Sequence, residues 1–156
     1  MLFSIDHGNS AVKTPNFTFT SGLADYPVRP PVETDVLEYA GKFWTLSGQR
    51  ISYMRDKTQN DRYFILTLFA IAKELQRMGT LPTVVEAELA VGLPPEHYAL
   101  RRKFASYFQR GSVQFTFNST PVCLSGHPGC AGLSPSIRSG GSPGNAAERV
   151  SPHFCY

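Results

Sequence analysis

The stretch from Tyr63 to Met78 constrains this chain more than any other. Phe64, Leu68, Ile71, Leu75 and Met78 recur three and four residues apart, the spacing of one helical face. Ile65, Leu66 and Phe69 widen that face until the apolar surface is nearly continuous. A helix of this kind belongs against a sheet, buried, and not on a domain surface. Asn60 or Asp61 can cap its start, and Gly79 can end it in the left-handed position after the last turn. With 156 residues, 42% of them hydrophobic, the chain is long enough for one domain built on that pillar.

A sheet to pack against it begins at the N-terminus. Leu2, Phe3 and Ile5 form a short apolar run that breaks into Asp6-His7-Gly8-Asn9-Ser10 and resumes at Ala11-Val12-Lys13, a tight hairpin. Gly8 permits a positive φ and close backbone approach, and Asn9 tolerates left-handed geometry. Such a turn can cradle phosphate. Asp6, at a strand end, offers a carboxylate that can hold Mg²⁺ through water, and Lys13 reaches a phosphate as a point charge. The candidate phosphate-binding residues are therefore Asp6, Gly8, Asn9, Ser10 and Lys13, with Asp6 the candidate metal ligand. The same spacing also fits a plain hairpin.

The wider sequence bears on that choice. Asp6 to Lys13, followed by Phe17-Thr18-Phe19-Thr20-Ser21-Gly22-Leu23, resembles the first phosphate loop of the bacterial and phage actin-like ATPases of the ParM/StbA type. The resemblance continues through Tyr53-Met54-Arg55-Asp56-Lys57, Tyr63 to Leu75, and Ala90-Val91-Gly92-Leu93-Pro94-Pro95, and covers about residues 2–122. It implies an α/β fold: a partial actin-like (ribonuclease H-like) lobe with β-hairpins, a mixed sheet and two main helices. It also implies ATP with Mg as cofactor, self-assembly into filaments and a DNA-bound adaptor as partner, in service of plasmid or phage DNA segregation.

Between these landmarks, Pro27, Pro30 and Pro31 predict an extended connection over 24–35. Val36 to Tyr39 and Lys42 to Leu46 flank Ala40-Gly41 as a second hairpin, in which Trp44, the only tryptophan, is expected to pack instead of stacking on a ligand. Thr83 to Val91 reads as one strand with Val85, Ala87, Leu89 and Val91 inward and Glu86 and Glu88 on a wet face. A second helix is expected from Pro94-Pro95 to about Arg110, its stripe of Leu100, Phe104, Tyr107 and Phe108 opposite a solvated Arg101-Arg102-Lys103. Val113 to Phe117 alternates as a further strand, turned by Asn118-Ser119-Thr120.

The net charge of +3, with no basic cluster interleaved with aromatics, argues against direct nucleic-acid binding. No apolar run has transmembrane length and no leader precedes Asp6, so a cytoplasmic protein without membrane contact is expected, in which the sequons at Asn16 and Asn118 stay unused. From Cys123 the composition changes: almost half of residues 123–156 are Gly, Pro or Ser, and all three cysteines lie there. Cys123, His127, Cys130, His153 and Cys155 match no compact zinc knuckle, and a disulfide is unsupported in this setting. The division expected is 1–122, an incomplete actin-like ATPase N-terminal domain, and 123–156, a disordered tail.

That tail reads as a frameshift product. Cys130 to Gly141 can be encoded so that the next frame gives Val-Gln-Val-Tyr-Pro-Gln-Ala-Tyr-Ala-Ala-Ala, which resembles what the actin-like family carries there, and Val150 to Tyr156 permits Tyr-Pro-Arg-Thr-Phe-Val in the same register. By the resemblance, the second phosphate loop, the second lobe and the adenosine pocket are then missing. Phosphoryl transfer relies on positioning and charge stabilisation, so the chain is expected to be catalytically incompetent alone and to bind nucleotide weakly or not at all. A rival reading makes it a small non-catalytic interaction module in which the glycine turn is only a turn.

Overall fold

The pillar expected from the sequence is helix α1 (Arg62–Arg77) in the computed structural model, which describes residues 1–79, 84–93, 95–125 and 134–139. Every residue from Tyr63 to Ala72 is buried, as the near-continuous apolar surface requires. Gly79 ends the helix with φ +69°, a conformation that costs glycine nothing. Of the two residues expected to cap its start, Asp61 makes no side-chain cap bond, and Asn60 takes a different one. Asn60 accepts from the Arg62 N–H (3.1 Å), and the Tyr107 hydroxyl accepts from the Phe64 N–H (2.9 Å) while donating to the Asn60 carbonyl (2.7 Å). A phenol from another element thus satisfies an orphan donor of the first turn.

Two sheets share the core with α1. The first contains β1 (Leu2–His7), β2 (Ala11–Lys13), β3 (Thr18–Thr20), β8 (Glu88–Leu93) and β11 (Ser134–Ser139), in the order β11-β8-β1-β2-β3. The hairpin pairs β1 with β2 antiparallel, and β8 runs parallel to β1 on its other side. The second contains β4 (Leu23–Tyr26), β5 (Val36–Tyr39), β6 (Lys42–Leu46), β7 (Val84–Glu86), β9 (Val113–Phe117) and β10 (Thr120–Ser125), in the order β4-β6-β5-β9-β10-β7. Phe3, Ile5 and Val12 of the first sheet and Leu37, Phe115 and Phe117 of the second belong to one buried cluster with α1. The hairpins at Ala40-Gly41 (φ 53° and 73°) and Asn118-Ser119 (φ 49° and 69°) turn left-handed, which matches the twist of the strands they join. Trp44 is partly buried against this core, as expected of a packing residue.

Four expectations are corrected. Residues 24–26 are not connection but lie in β4, because the prolines begin at Pro27 and leave Leu23 to Tyr26 free to pair with β6. The strand expected over Thr83–Val91 is two strands in two sheets; Thr83 lies outside the described residues. The break is at Ala87, whose N–H bonds the Ser125 carbonyl of β10 (3.0 Å) while the next N–H, of Glu88, bonds the Met1 carbonyl (2.8 Å). The inward alternation survives the switch, since Val85, Ala87, Leu89 and Val91 are all buried. The second helix opens as a 3-10 turn (Pro95–Leu100) and is α-helical only over α2 (Arg101–Phe108), with Gly111 at φ +65° beyond it. The boundary expected at residue 122 falls inside β10: Cys123, Leu124 and Ser125 pair with β7, and Leu124 is fully buried. Residues 134–139 also form a strand, β11, beside β8. His127, Cys130, His153 and Cys155 lie outside the described residues.

Candidate phosphate turn

Strand alternation places the site. In β1, Phe3, Ile5 and His7 point into the core and Leu2, Ser4 and Asp6 point out. Asp6 is the register partner of Lys13, so the two exposed side chains share the outer face of the hairpin. Both line a cleft of about 420 Å³, together with Thr14, Ala90 and Gly92. Gly92 is the register partner of Asp6 on β8, and a Cβ there would meet the Asp6 carboxylate oxygen at 3.0 Å. Glycine at 92 therefore keeps room for that carboxylate. Gly8, Asn9 and Ser10 do not line the cleft; they form the turn that joins its two flanking strands.

The turn is tied down from the protein side. The Ser21 hydroxyl donates to the Gly8 carbonyl (2.8 Å), and the Ser21 N–H donates to the Ser10 carbonyl (3.0 Å). Lys57 Nζ donates to the His7 carbonyl. A Cβ on Gly8 would meet the Ala11 carbonyl oxygen at 2.6 Å, a contact real Cβ atoms do not make, so position 8 admits only glycine without a shift of the turn. The next turn is as tight, since a Cβ on Gly22 would clash with the Gln49 carbonyl oxygen.

Beneath the turn lies a buried polar group that the sequence pattern alone puts in the turn itself. His7 is 1% exposed, ringed by Tyr63, Phe104 and Phe108. Its Nε2 is 2.7 Å from the Thr67 hydroxyl, whose own proton goes to the Tyr63 carbonyl (2.8 Å). Nε2 must therefore donate, which fixes the tautomer and leaves Nδ1 a bare acceptor with no partner among the described residues. Burial, and then the Lys57 ammonium, push the imidazole down to about 3, so it is neutral at physiological pH. Lys57 is buried too, with its ammonium 5.0 Å from the centre of the Tyr63 ring. Burial lowers its pKa from the ordinary lysine value, and the Asp6 carboxylate opposes that shift.

Of the candidates expected from the sequence, Asp6 and Lys13 face one cleft and Gly8 shapes the turn beside it; Ser21 and Lys57 are visible in the sequence only as positions within the resemblance, without these contacts, and the burial of His7 is not expected. The period-two pattern of Phe3, Ile5 and His7 is the available signal for the last. No group of three or more His, Cys, Asp or Glu side chains among the described residues could hold a metal by itself, so a cation here fits one carboxylate and its own waters. The Arg101-Arg102-Lys103 face is largely exposed, as expected, though Lys103 also pairs with Asp56 in the segment leading to Lys57. No helix among the described residues is long and apolar enough to cross a membrane.

No protein-family model matches the sequence, and no curated protein does. Solved structures do match the fold. An AlfA filament bound to AMPPNP aligns at TM-score 0.63 with 16% identity, over 89% of this chain and 54% of that one. An apo ParM protein designated psk41 aligns at TM-score 0.64 with 14% identity, over 87% and 48%. A 15-stranded ParM filament from Clostridium botulinum aligns at TM-score 0.64 with 13% identity, over 90% and 48%. The chain has the actin-like α/β fold expected of it and spans about half the length of the solved structures it matches.

Proposed function

We propose that the β1–β2 turn is the first phosphate site of an actin-like, filament-forming ATPase that segregates plasmid or phage DNA, and that this chain carries its N-terminal part. The observation that carries this reading is the pairing of Asp6 with Lys13 across one rim of a cleft, next to a turn whose shape only glycine at position 8 permits. The likeness to a filament solved with a bound nucleotide analogue supports it. ATP would supply the phosphates and Mg²⁺ their counter-charge. In this chain, Asp6 would orient the cation's waters, Lys13 would neutralise a phosphate oxygen, and the turn from Gly8 to Ser10 would offer backbone N–H donors.

These contacts lie on an exposed face, where charges are screened and a nucleotide must give up hydration and freedom worth about 4 kcal/mol or more. The expected dissociation constant for Mg-ATP is therefore of millimolar order, about −4 kcal/mol, with no steady turnover. Filament contacts and a DNA-bound adaptor would belong to the whole protein, and a cytoplasmic location follows from that role. Titration of the chain with Mg-ATP, followed at each backbone amide beside a phosphate-release assay, tests the reading. Perturbation centred on Gly8 to Lys13 supports it, and a response elsewhere, or none at the turn, removes it.

A further inference from the structure

Lys57 makes an expensive contact in a telling place. An ammonium taken out of water destabilises a fold unless it is well partnered, and this one has the His7 carbonyl, the face of Tyr63 and the attraction of Asp6. All three partners lie at or directly under the phosphate turn. The chain brings Lys57 there across fifty residues of sequence, on the segment between β6 and α1. That segment is itself pinned, since Asp56 accepts from Lys103 of α2 and from the Thr58 hydroxyl (2.6 Å).

Peptide geometry says what the contact does. No cis peptide occurs among the described residues, and in a trans peptide the C=O and the following N–H point in opposite directions. Drawing the His7 carbonyl toward Lys57 therefore sends the Gly8 N–H the other way. Ser21 does the same for the next peptide by holding the Gly8 carbonyl, which points the Asn9 N–H away from Ser21. Each of these two N–H groups is thus directed by a group on the opposite side of its own peptide.

We propose that Lys57 is a positioning residue of the phosphate turn, holding the His7–Gly8 peptide so that its N–H faces the anion. This rests on the reading of the turn as a phosphate site, but the effect on the peptide can be read without any ligand. Lys57→Met keeps the length and apolar stem of the side chain and removes the donor; Lys57→Arg restores one.

The test is amide NMR of the full chain and both variants, free and titrated with Mg-AMPPNP. In Lys57→Met, the Gly8 and Asn9 amides should lose order relative to wild type while amides in the middle of α1 keep theirs. Affinity at the turn should fall about tenfold, the usual worth of one hydrogen bond to a charged group, and Lys57→Arg should recover part of both. Unchanged order at Gly8 in Lys57→Met overturns the proposal, as does loss of order spread evenly through α1. If the wild type shows no binding, the phosphate reading fails, and the order of the Gly8 amide alone still decides for or against the latch. If Lys57→Met does not fold, Lys57→Leu, which also lacks the donor, is measured in its place, and wild-type order at Gly8 with wild-type affinity in that variant overturns the proposal.

Discussion

His7 Nε2 lies 2.7 Å from the Thr67 hydroxyl in a site closed to solvent, and that bond ties the β1–β2 hairpin to the middle of α1. The imidazole is neutral in the fold and takes its proton more readily once unfolded. Its contribution is therefore complete above pH 6.5 and is lost as the pH falls toward about 3. Between pH 6.5 and 5 the chain should lose about 2 kcal/mol, at about 1.4 kcal/mol per unit. Urea unfolding at both pH values measures it, and His7→Phe, which cannot titrate, should flatten the slope. An equal slope in that variant would assign the acid lability elsewhere.

Tyr107→Phe removes one hydroxyl that serves two partners at the start of α1. It leaves the Phe64 N–H and the Asn60 carbonyl without that partner, so a cost of about 1–3 kcal/mol is expected. The ring contacts with Phe104 and Phe108 should persist. Chemical denaturation with an unchanged m-value and a lower midpoint is the expected result; an unchanged midpoint would mean that water replaces the hydroxyl.

Leu124→Ala should cost about 2–5 kcal/mol, because the side chain is fully buried in β10. A loss below about 0.5 kcal/mol, the range of an exposed site, would place residue 124 outside the core.

How much of the fold and the site is legible in the sequence depends on whether the signal is local. The α1 pillar, the Ala40-Gly41 hairpin and the Asp6, Gly8 and Lys13 spacing each sit within a short window whose periodicity or turn chemistry is plain in the sequence. The division at Ala87 is not local: it arises because one N–H finds β10 and the next finds Met1, residues far away in sequence. Leu124 takes on the character of the Gly, Pro and Ser-rich residues after it when judged by composition, although its pairing with β7 keeps it in the sheet. His7 looks like a turn residue beside Gly8 and Asn9, when its strand position decides its burial. Lys57 enters the sequence only as the last residue of the stretch from Tyr53 that carries the resemblance, and nothing local foretells its contact with the His7 carbonyl, fifty residues away.

The reading frame offers an independent check on the tail. If residues beyond 125 are an out-of-frame translation of an actin-like gene, the genomic DNA read one nucleotide later should continue through an Asp-x-Gly loop. Sequencing across that region decides it, and stop codons scattered through the shifted frame would exclude it.

Whether Asp6, Lys13 and the glycine turn form a phosphate site comes down to one titration. Amide spectra of the whole chain are followed with ATP, with and without Mg²⁺, for wild type and Asp6→Ala. Mg-dependent shifts are expected at Gly8, Asn9, Ser10 and Lys13 with a dissociation constant of about 1 mM, abolished in a still-folded Asp6→Ala. Silence at the turn up to about 10 mM ATP, or the same Mg-dependent response in Asp6→Ala, would rule the site out.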